Sequence, residues 1–317
     1  MLYIPNIYKL ELAFGHKITN SGLQYIPNIR FLDLSETENI TNDGLKYIPN
    51  IETLLLENNN NITEDCFKYI PNLTKLTLYQ NEIPITNEGL KLIPKIESLE
   101  IKDSDITDEG LIYIPNIHTL DLGYSEITNN GLKYISNIHT LTLCDNQTIT
   151  DEGLKYLNNI HTLSLYDNTM ITDKGLKYIK NIHTLSLNSD KNITDKGLKY
   201  LKNIHILELE NNNKITDKGL KYLKNIHTLK LNKNDKITNN GLKYLKNIYT
   251  LNIYCNECIT NDGLQHMHNI HTINLYKNKN NDSNKYYNIL DNSDSDLINH
   301  DQNLAKIIKD YKNIYLI

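Results

Sequence analysis

Tryptophan is absent from this chain of 317 residues, Phe and Met occur three times each, and the one arginine is Arg30. Without arginine, a basic surface lacks the planar fork that serves phosphate and base recognition best. No 18 apolar residues run together, which argues against a membrane-spanning helix. The first dozen residues, Met-Leu-Tyr-Ile-Pro-Asn-Ile-Tyr-Lys-Leu-Glu-Leu, lack the apolar stretch of a secretion signal. Cysteine is sparse: Cys66 and Cys144 stand far from any other, while Cys255 and Cys258 are close together. So irregular a set fits a reducing compartment better than a disulfide framework, and a cytoplasmic location is expected. The net charge of −5 hides an asymmetry. Residues 1–135 hold 10 Lys and Arg against 19 Asp and Glu, a balance of −9, whereas residues 136–275 hold 17 against 13, a balance of +4.

What the chain does contain is a phrase, Ile-Thr-(Asp/Asn)-X-Gly-Leu-Lys-Tyr-(Ile/Leu)-X-Asn-Ile-His-Thr-Leu-X-Leu, that returns about every 22 residues between Ile18 and Leu275. Its Ile-Thr pair opens at Ile18, Ile40, Ile62, Ile85, Ile106, Ile127, Ile149, Ile171, Ile193, Ile215, Ile237 and Ile259. A fixed period in this range with Leu-X-Leu once per turn is the mark of a leucine-rich-repeat solenoid, an α/β architecture with one parallel strand and one short helix per unit. The expected organisation is a solenoid of about 13 strands over residues 1–278, a polar loop over 279–296, and a degenerate capping unit over 297–317. At the N-terminal end Ile7, Leu10 and Leu12 already occupy core positions, so no cap is visible there.

Within one unit, Thr172 suits a helix N-cap with Asp173 in the first turn. Leu176 and Ile179 lie three apart and point into the core, Asn181 ends the helix, and Thr184-Leu185-Ser186-Leu187 alternates as a strand. Asn follows the strand at Asn59, Asn81, Asn146, Asn168, Asn212, Asn234, Asn256 and Asn278, with Asp190 in the same column, in the manner of an asparagine ladder. Eleven of twelve units carry Gly at one helix position, and Cys66 replaces it in the twelfth. Since a mid-helix Gly costs about 1 kcal/mol, close approach of neighbouring helices is the expected reason.

These residues carry a family resemblance. Ile-Thr-Asp-X-Gly-Leu followed by Leu-X-Leu resembles the leucine-rich repeats of F-box adaptor proteins, and the composition is similar to repeat proteins of giant DNA viruses. The resemblance implies a substrate-recognition subunit of a cullin-type ubiquitin ligase as one alternative, here without a visible F-box, because repeat sequence begins at Ile4-Pro5-Asn6-Ile7.

The residues themselves point to binding rather than catalysis. Nearly every polar column is copied from unit to unit, whereas an active site needs a unique constellation. No catalytic residue, metal or cofactor is therefore expected, and the expected partner is a protein rather than nucleic acid or membrane. The column His118, His139, His161, His183, His205, His227 and His271, interrupted by Tyr249, is either a pH-sensitive stripe, a metal chain or a copied packing element. Cys255 and Cys258, followed by His266 and His268, have some flavour of zinc ligation, set against a reading as two structural cysteines. The outer lysines Lys174, Lys177, Lys180, Lys196, Lys199, Lys202, Lys218, Lys221 and Lys224 alternate with Asp173, Asp195 and Asp217 and read as a solvated face. A tyrosine column at Tyr25, Tyr47, Tyr69, Tyr113, Tyr134, Tyr156, Tyr178, Tyr200, Tyr222 and Tyr244 is expected to stack between units. Variation concentrates on the solvent face of the strands, with acids in early units, Thr142, Ser164 and Ser186 in the middle, and mixed charges later. The candidate partner-binding residues there are Tyr79, Asp121, Tyr166, Glu208, Glu210, Lys230, Tyr254 and Tyr276, with Tyr as a low-entropy anchor.

Overall fold

The computed structural model describes residues 7–12, 17–79, 84–101, 104–123, 125–189, 192–256, 258–267 and 269–276. The expected loop over 279–296, the expected cap over 297–317, and Asn81, Asp190, His268 and Asn278 lie outside them. The chain divides into two compact units, Met1–Ser164 and Leu165–Ile317.

In the first unit, strands β1 (Lys9–Glu11), β2 (Phe31–Asp33), β3 (Thr53–Glu57), β4 (Lys75–Tyr79), β5 (Ser98–Ile101), β6 (Thr119–Leu122) and β7 (Thr140–Cys144) pair in parallel in chain order. β8 (Thr162–Tyr166) holds the point of division. In the second unit, β9 (Thr184–Asn188), β10 (Ile206–Glu210), β11 (Thr228–Asn232), β12 (Thr250–Tyr254) and β13 (Thr272–Tyr276) pair in the same way. Identical periods place identical residues in register, so Leu207 lies between Leu185 and Leu229.

The return path of each repeat is a short helical segment of three to six residues. Asp195–Leu198 and Asp217–Leu220 are α-helical, while Glu64–Tyr69, Gly131–Lys133, Gly153–Tyr156 and Gly175–Lys177 tighten to 3-10 geometry. Period-three spacing suits both forms: Leu176 and Ile179 are buried, as are Ile171, Ile182, Leu185 and Leu187 around them. Six large aliphatic side chains per repeat, each contributing about 1.5–3 kcal/mol when buried, make a continuous core without tryptophan.

Three polar columns lock consecutive repeats together. The first is the expected asparagine ladder. Asn146 donates through Nδ2 to the carbonyls of Ser125 (3.0 Å) and Ile127 (2.9 Å), and its Oδ1 accepts from the Thr148 and Ile149 amides. In the second unit the Asn212 amide donates to Asn234 Oδ1 at 3.2 Å, and the Asn234 amide to Asn256 Oδ1 at 2.8 Å. The residue just before the ladder Asn sits in the left-handed region, with φ of 50° at Asn58, 55° at Asp145 and 51° at Lys233. That turn aims each amide at the next strand's end, as Lys233 N does at Tyr254 O (3.0 Å).

A second column consists of the acids expected in the first helical turn, and it has a larger role. Asp173 Oδ1 accepts the Thr194 amide at 2.7 Å and its Oδ2 the Thr194 hydroxyl at 2.6 Å, one full repeat away. Asp195 holds Thr216 and Asp217 holds Thr238 identically, and Asn20, Asn42, Asn87 and Asn129 do the same through an amide. The glycine column has the expected cause, close approach of neighbouring helical turns: a Cβ at Gly197 would lie 2.5 Å from Asp173 Oδ1 and 3.0 Å from Leu176 Cδ1, both on the helical side of the preceding repeat. Cys66 occupies this place within a 3-10 segment, and burial pushes its thiol up to about 12.

The third column ends each helical turn. Asn225, Asn247 and Asn269 donate Nδ2 to the carbonyls of Lys202, Lys224 and Lys246 at 3.0, 2.9 and 2.9 Å. These bonds satisfy helix-end acceptors that would otherwise depend on water.

Candidate interaction surface

Strand alternation sends one set of side chains into the core and the other to the open face of the sheet. In the first unit the open face carries the register Leu55, Thr77, Glu100, Asp121 and Thr142, with Glu57 opposite Tyr79 one step further on. The Tyr79 hydroxyl donates to Glu100 Oε2 at 3.1 Å, and Lys75 Nζ lies 3.7 Å from the other oxygen. Lost hydration, followed by the Glu100, Asp121 and Glu57 carboxylates, raises the Tyr79 phenol above its ordinary range. Tyr79 is thus fixed along the sheet toward Glu100, and the candidates Tyr79 and Asp121 belong to one acidic patch centred on Glu100. Glu100 is one of the early-unit acids expected on this face but not one of the candidate binding residues; its central place comes from register, one strand on from Lys75 and Tyr79.

In the second unit the corresponding row runs Ser186, Glu208, Lys230, Asn252 and Asn274. Glu208 and Lys230 form an ion pair across the sheet, and Ser186 Oγ donates to Glu208 Oε2 at 3.4 Å. The next row runs Asn188, Glu210, Asn232, Tyr254 and Tyr276. Asn232 Nδ2 donates to Glu210 Oε1 at 2.9 Å, and lost hydration raises the Glu210 carboxyl above its usual range. Tyr166 and Tyr254 are half-buried at the ends of their strands. Tyr276 closes β13, with its side chain outside the described set.

The histidine column stacks. Ring centroids lie 4.7 Å apart for His118–His139, 4.5 Å for His139–His161 and, in the second unit, 4.4 Å for His183–His205. Tyr249 continues the column instead of interrupting it, 4.7 Å from His227 and 4.5 Å from His271. Several rings meet the next residue's hydroxyl through Nδ1, as His139 meets Thr140 Oγ1 at 3.3 Å. Lost hydration and the flanking rings of His161 and His118 lower the His139 pKa. The tyrosine column differs from expectation: the group over the ring is a lysine ammonium, Lys46 over Tyr69 at 5.0 Å and Lys199 over Tyr200 at 4.7 Å. Long flexible lysines bend onto π faces that would otherwise meet water.

Cys258 and His266 line an open depression of about 400 Å³ together with Lys243 and Asp262, and Cys255 is not part of that lining. Among the described residues no three or more His, Cys, Asp or Glu side chains converge as a metal set would. None of the four cysteines is joined in a disulfide, and no helix among the described residues is long and apolar enough to cross a membrane.

The Leucine Rich repeat family matches the sequence seven times, at residues 25–48, 94–114, 113–136, 134–157, 156–180, 200–224 and 222–246. The chain is a leucine-rich-repeat protein. Solved leucine-rich-repeat structures share its architecture at low identity. An internalin (inlF) from Listeria monocytogenes superposes with a TM-score of 0.60 at 22% identity, over 87% of this chain and 88% of that one. The crystal structure of the Rad7 and Elc1 complex in yeast gives 0.53 at 16% identity, over 82% and 79%. The TLR13–ssRNA13 complex gives 0.53 at 18% identity, over 85% of this chain but only 48% of that one. At such identities the likeness is one of fold. No curated protein matches in sequence. In this leucine-rich-repeat protein, the columns that repeat most faithfully are engaged in holding one repeat to the next, and the open sheet face is the part that varies.

Proposed function

We propose that this leucine-rich-repeat protein is a non-enzymatic scaffold that binds a protein partner on the open face of its sheet. The observation that carries this reading is the division of labour among columns. The ladder Asn, the Asp or Asn bonded to the following Thr, the Gly and the His are all engaged in contacts between repeats. The open-face rows instead vary along the sheet, acidic around Glu100 in the first unit and mixed around Glu208, Glu210 and Lys230 in the second, although β12 and β13 share Asn and Tyr. Those groups are preorganised by Tyr79–Glu100, Ser186–Glu208 and Asn232–Glu210, so little side-chain entropy is lost when a partner meets them. Half-buried Tyr79, Tyr166 and Tyr254 supply aromatic area of the kind that dominates binding energy.

The test is affinity capture from native cells with three baits: the full chain, a Tyr79→Ala/Asp121→Ala variant, and a Tyr166→Ala/Tyr254→Ala/Lys230→Glu variant. A protein captured by the full chain and lost from one variant supports the sheet face. Equal recovery of every captured protein on all three baits would remove the binding surface from that face. The ubiquitin-ligase alternative rests on the sequence resemblance alone. It requires a cullin adaptor to be captured alongside, and the same experiment decides it.

A further inference from the structure

The helical side of the second unit carries a charge pattern that its own fold does not neutralise. In the first unit, the residue before the repeat glycine is often acidic and pairs with the lysine three residues on: Asp43 with Lys46, Glu88 with Lys91 and Glu152 with Lys155. In the second unit that same position is lysine in three consecutive repeats, Lys174, Lys196 and Lys218. Each is followed at i+3 by another lysine, Lys177, Lys199 and Lys221, and at i+6 by Lys180, Lys202 and Lys224. All nine are exposed, and among the described residues none is in an ion pair. Like charges three apart on a helical turn repel, and here the repulsion is repeated down the unit.

The interleaved acids do not neutralise this surface at close range. Asp173, Asp195 and Asp217 are half-buried, and both oxygens of each are bonded to the amide and hydroxyl of the following repeat's threonine. They are turned along the stack, not toward the ammonium groups. What lies under the lysines is aromatic: Lys177 Nζ is 4.6 Å from the Tyr178 ring centre, Lys199 is 4.7 Å from Tyr200 and Lys221 is 4.9 Å from Tyr222.

We propose that this lysine lattice is a second docking surface, distinct from the sheet face, and that its occupant is an acidic polypeptide segment of a partner protein. Charge complementarity selects an anion. The choice between polypeptide and nucleic acid follows from the tyrosines: Tyr178, Tyr200 and Tyr222 are half-buried with their own lysines over them, so no open aromatic platform is offered for stacked bases. Lysine also presents a hydrated point charge rather than the planar fork suited to phosphate, and arginine is absent from this surface. A flexible carboxylate-rich segment meets such a lattice at many interchangeable points.

The experiment is a fluorescence anisotropy titration of the full chain against a fluorescein-labelled oligoglutamate at low salt. One variant carries Lys174→Glu, Lys196→Glu and Lys218→Glu. Because it recreates the acid-before-glycine pattern of the first unit, it should fold, and circular dichroism checks that it does. A control variant with the same change in net charge carries Lys214→Glu, Lys233→Glu and Lys236→Glu, on exposed lysines in the loops that follow the strands. The expected result is binding by the natural chain, a loss of roughly tenfold or more in the first variant, and near-natural binding in the control. Absence of binding by the natural chain, or equal losses in both variants, overturns the proposal. So does tighter binding of an oligouridylate lost through the same three lysines, which would make the surface a nucleic-acid site. Concentration-dependent self-association in sedimentation, abolished by the first variant, would assign the surface to a second copy of the chain and would also overturn it.

Discussion

Single residues in this protein do two jobs when they stand in a column. His139 is an exposed-side residue by pattern, yet its ring is sandwiched between His118 and His161 and bonded to Thr140. Lost hydration and two neighbouring imidazoles lower its pKa from the ordinary 6.5. A lowered pKa means the folded state takes up its proton later than the unfolded state as pH falls. The contribution of His139 is therefore present above the unfolded value near 6.5 and is lost as pH drops through the folded value. The natural chain should melt at a lower temperature at pH 5.5 than at pH 7.5, and His139→Gln should shrink that difference in thermal melts followed by circular dichroism. An unchanged pH dependence in the variant would mean that charging of this ring is not resisted by the stack. The column was visible in the sequence as a repeat of identical residues. Packing against its neighbours is one of the readings the sequence offers, but the membership of Tyr249 is not, because ring-on-ring contact depends on orientation rather than on residue type.

At the scale of the element, a one-turn helix has too few internal hydrogen bonds to stand alone, and it is held by its neighbours. Asp173 reaches from one turn to Thr194 at the start of the next, and Gly197 leaves the room for it. Gly197→Ala should destabilise the chain by about 1 kcal/mol, the lost bonds to a part-buried carboxylate outweighing the gain in helix propensity. In an Asp173→Ala background the same change should cost less, with a coupling of about 0.5 kcal/mol or more between the two sites in urea unfolding. Strictly additive effects would show that the carboxylate is not what the new methyl meets. The glycine column and the Asp or Asn column were each legible, but their connection was not. The sequence places the acids only in the first turn of their own helix, whereas the partner stands 21 residues on.

For the whole molecule, the charge asymmetry between early and late repeats was countable from the sequence. Which charges remain unneutralised was not. The structure turns the second unit's interleaved acids along the stack and leaves its lysines facing solvent. Fold stability and surface charge are therefore in mild conflict there. Lys174→Glu, Lys196→Glu and Lys218→Glu together should raise the melting temperature, since each replaces a repulsion at i,i+3 by an attraction worth about 0.2–0.5 kcal/mol. An unchanged or lower melting temperature at low salt would indicate that the lysines are not held against one another.

By itself the sequence determined the repeat, its period, the parallel strand with its helical turn, and the aliphatic core. Those properties follow from residue type at fixed spacing, and copying one unit a dozen times makes each of them explicit. The tertiary structure alone decided the partners of the polar groups. Glu100 gathers Tyr79 and Lys75, Glu208 pairs with Lys230, and Asp173 serves Thr194 rather than the lysines beside it. The physical reason is that those contacts are made across the stack, between residues about one period apart, where side-chain direction and register decide which of several chemically equivalent neighbours is met.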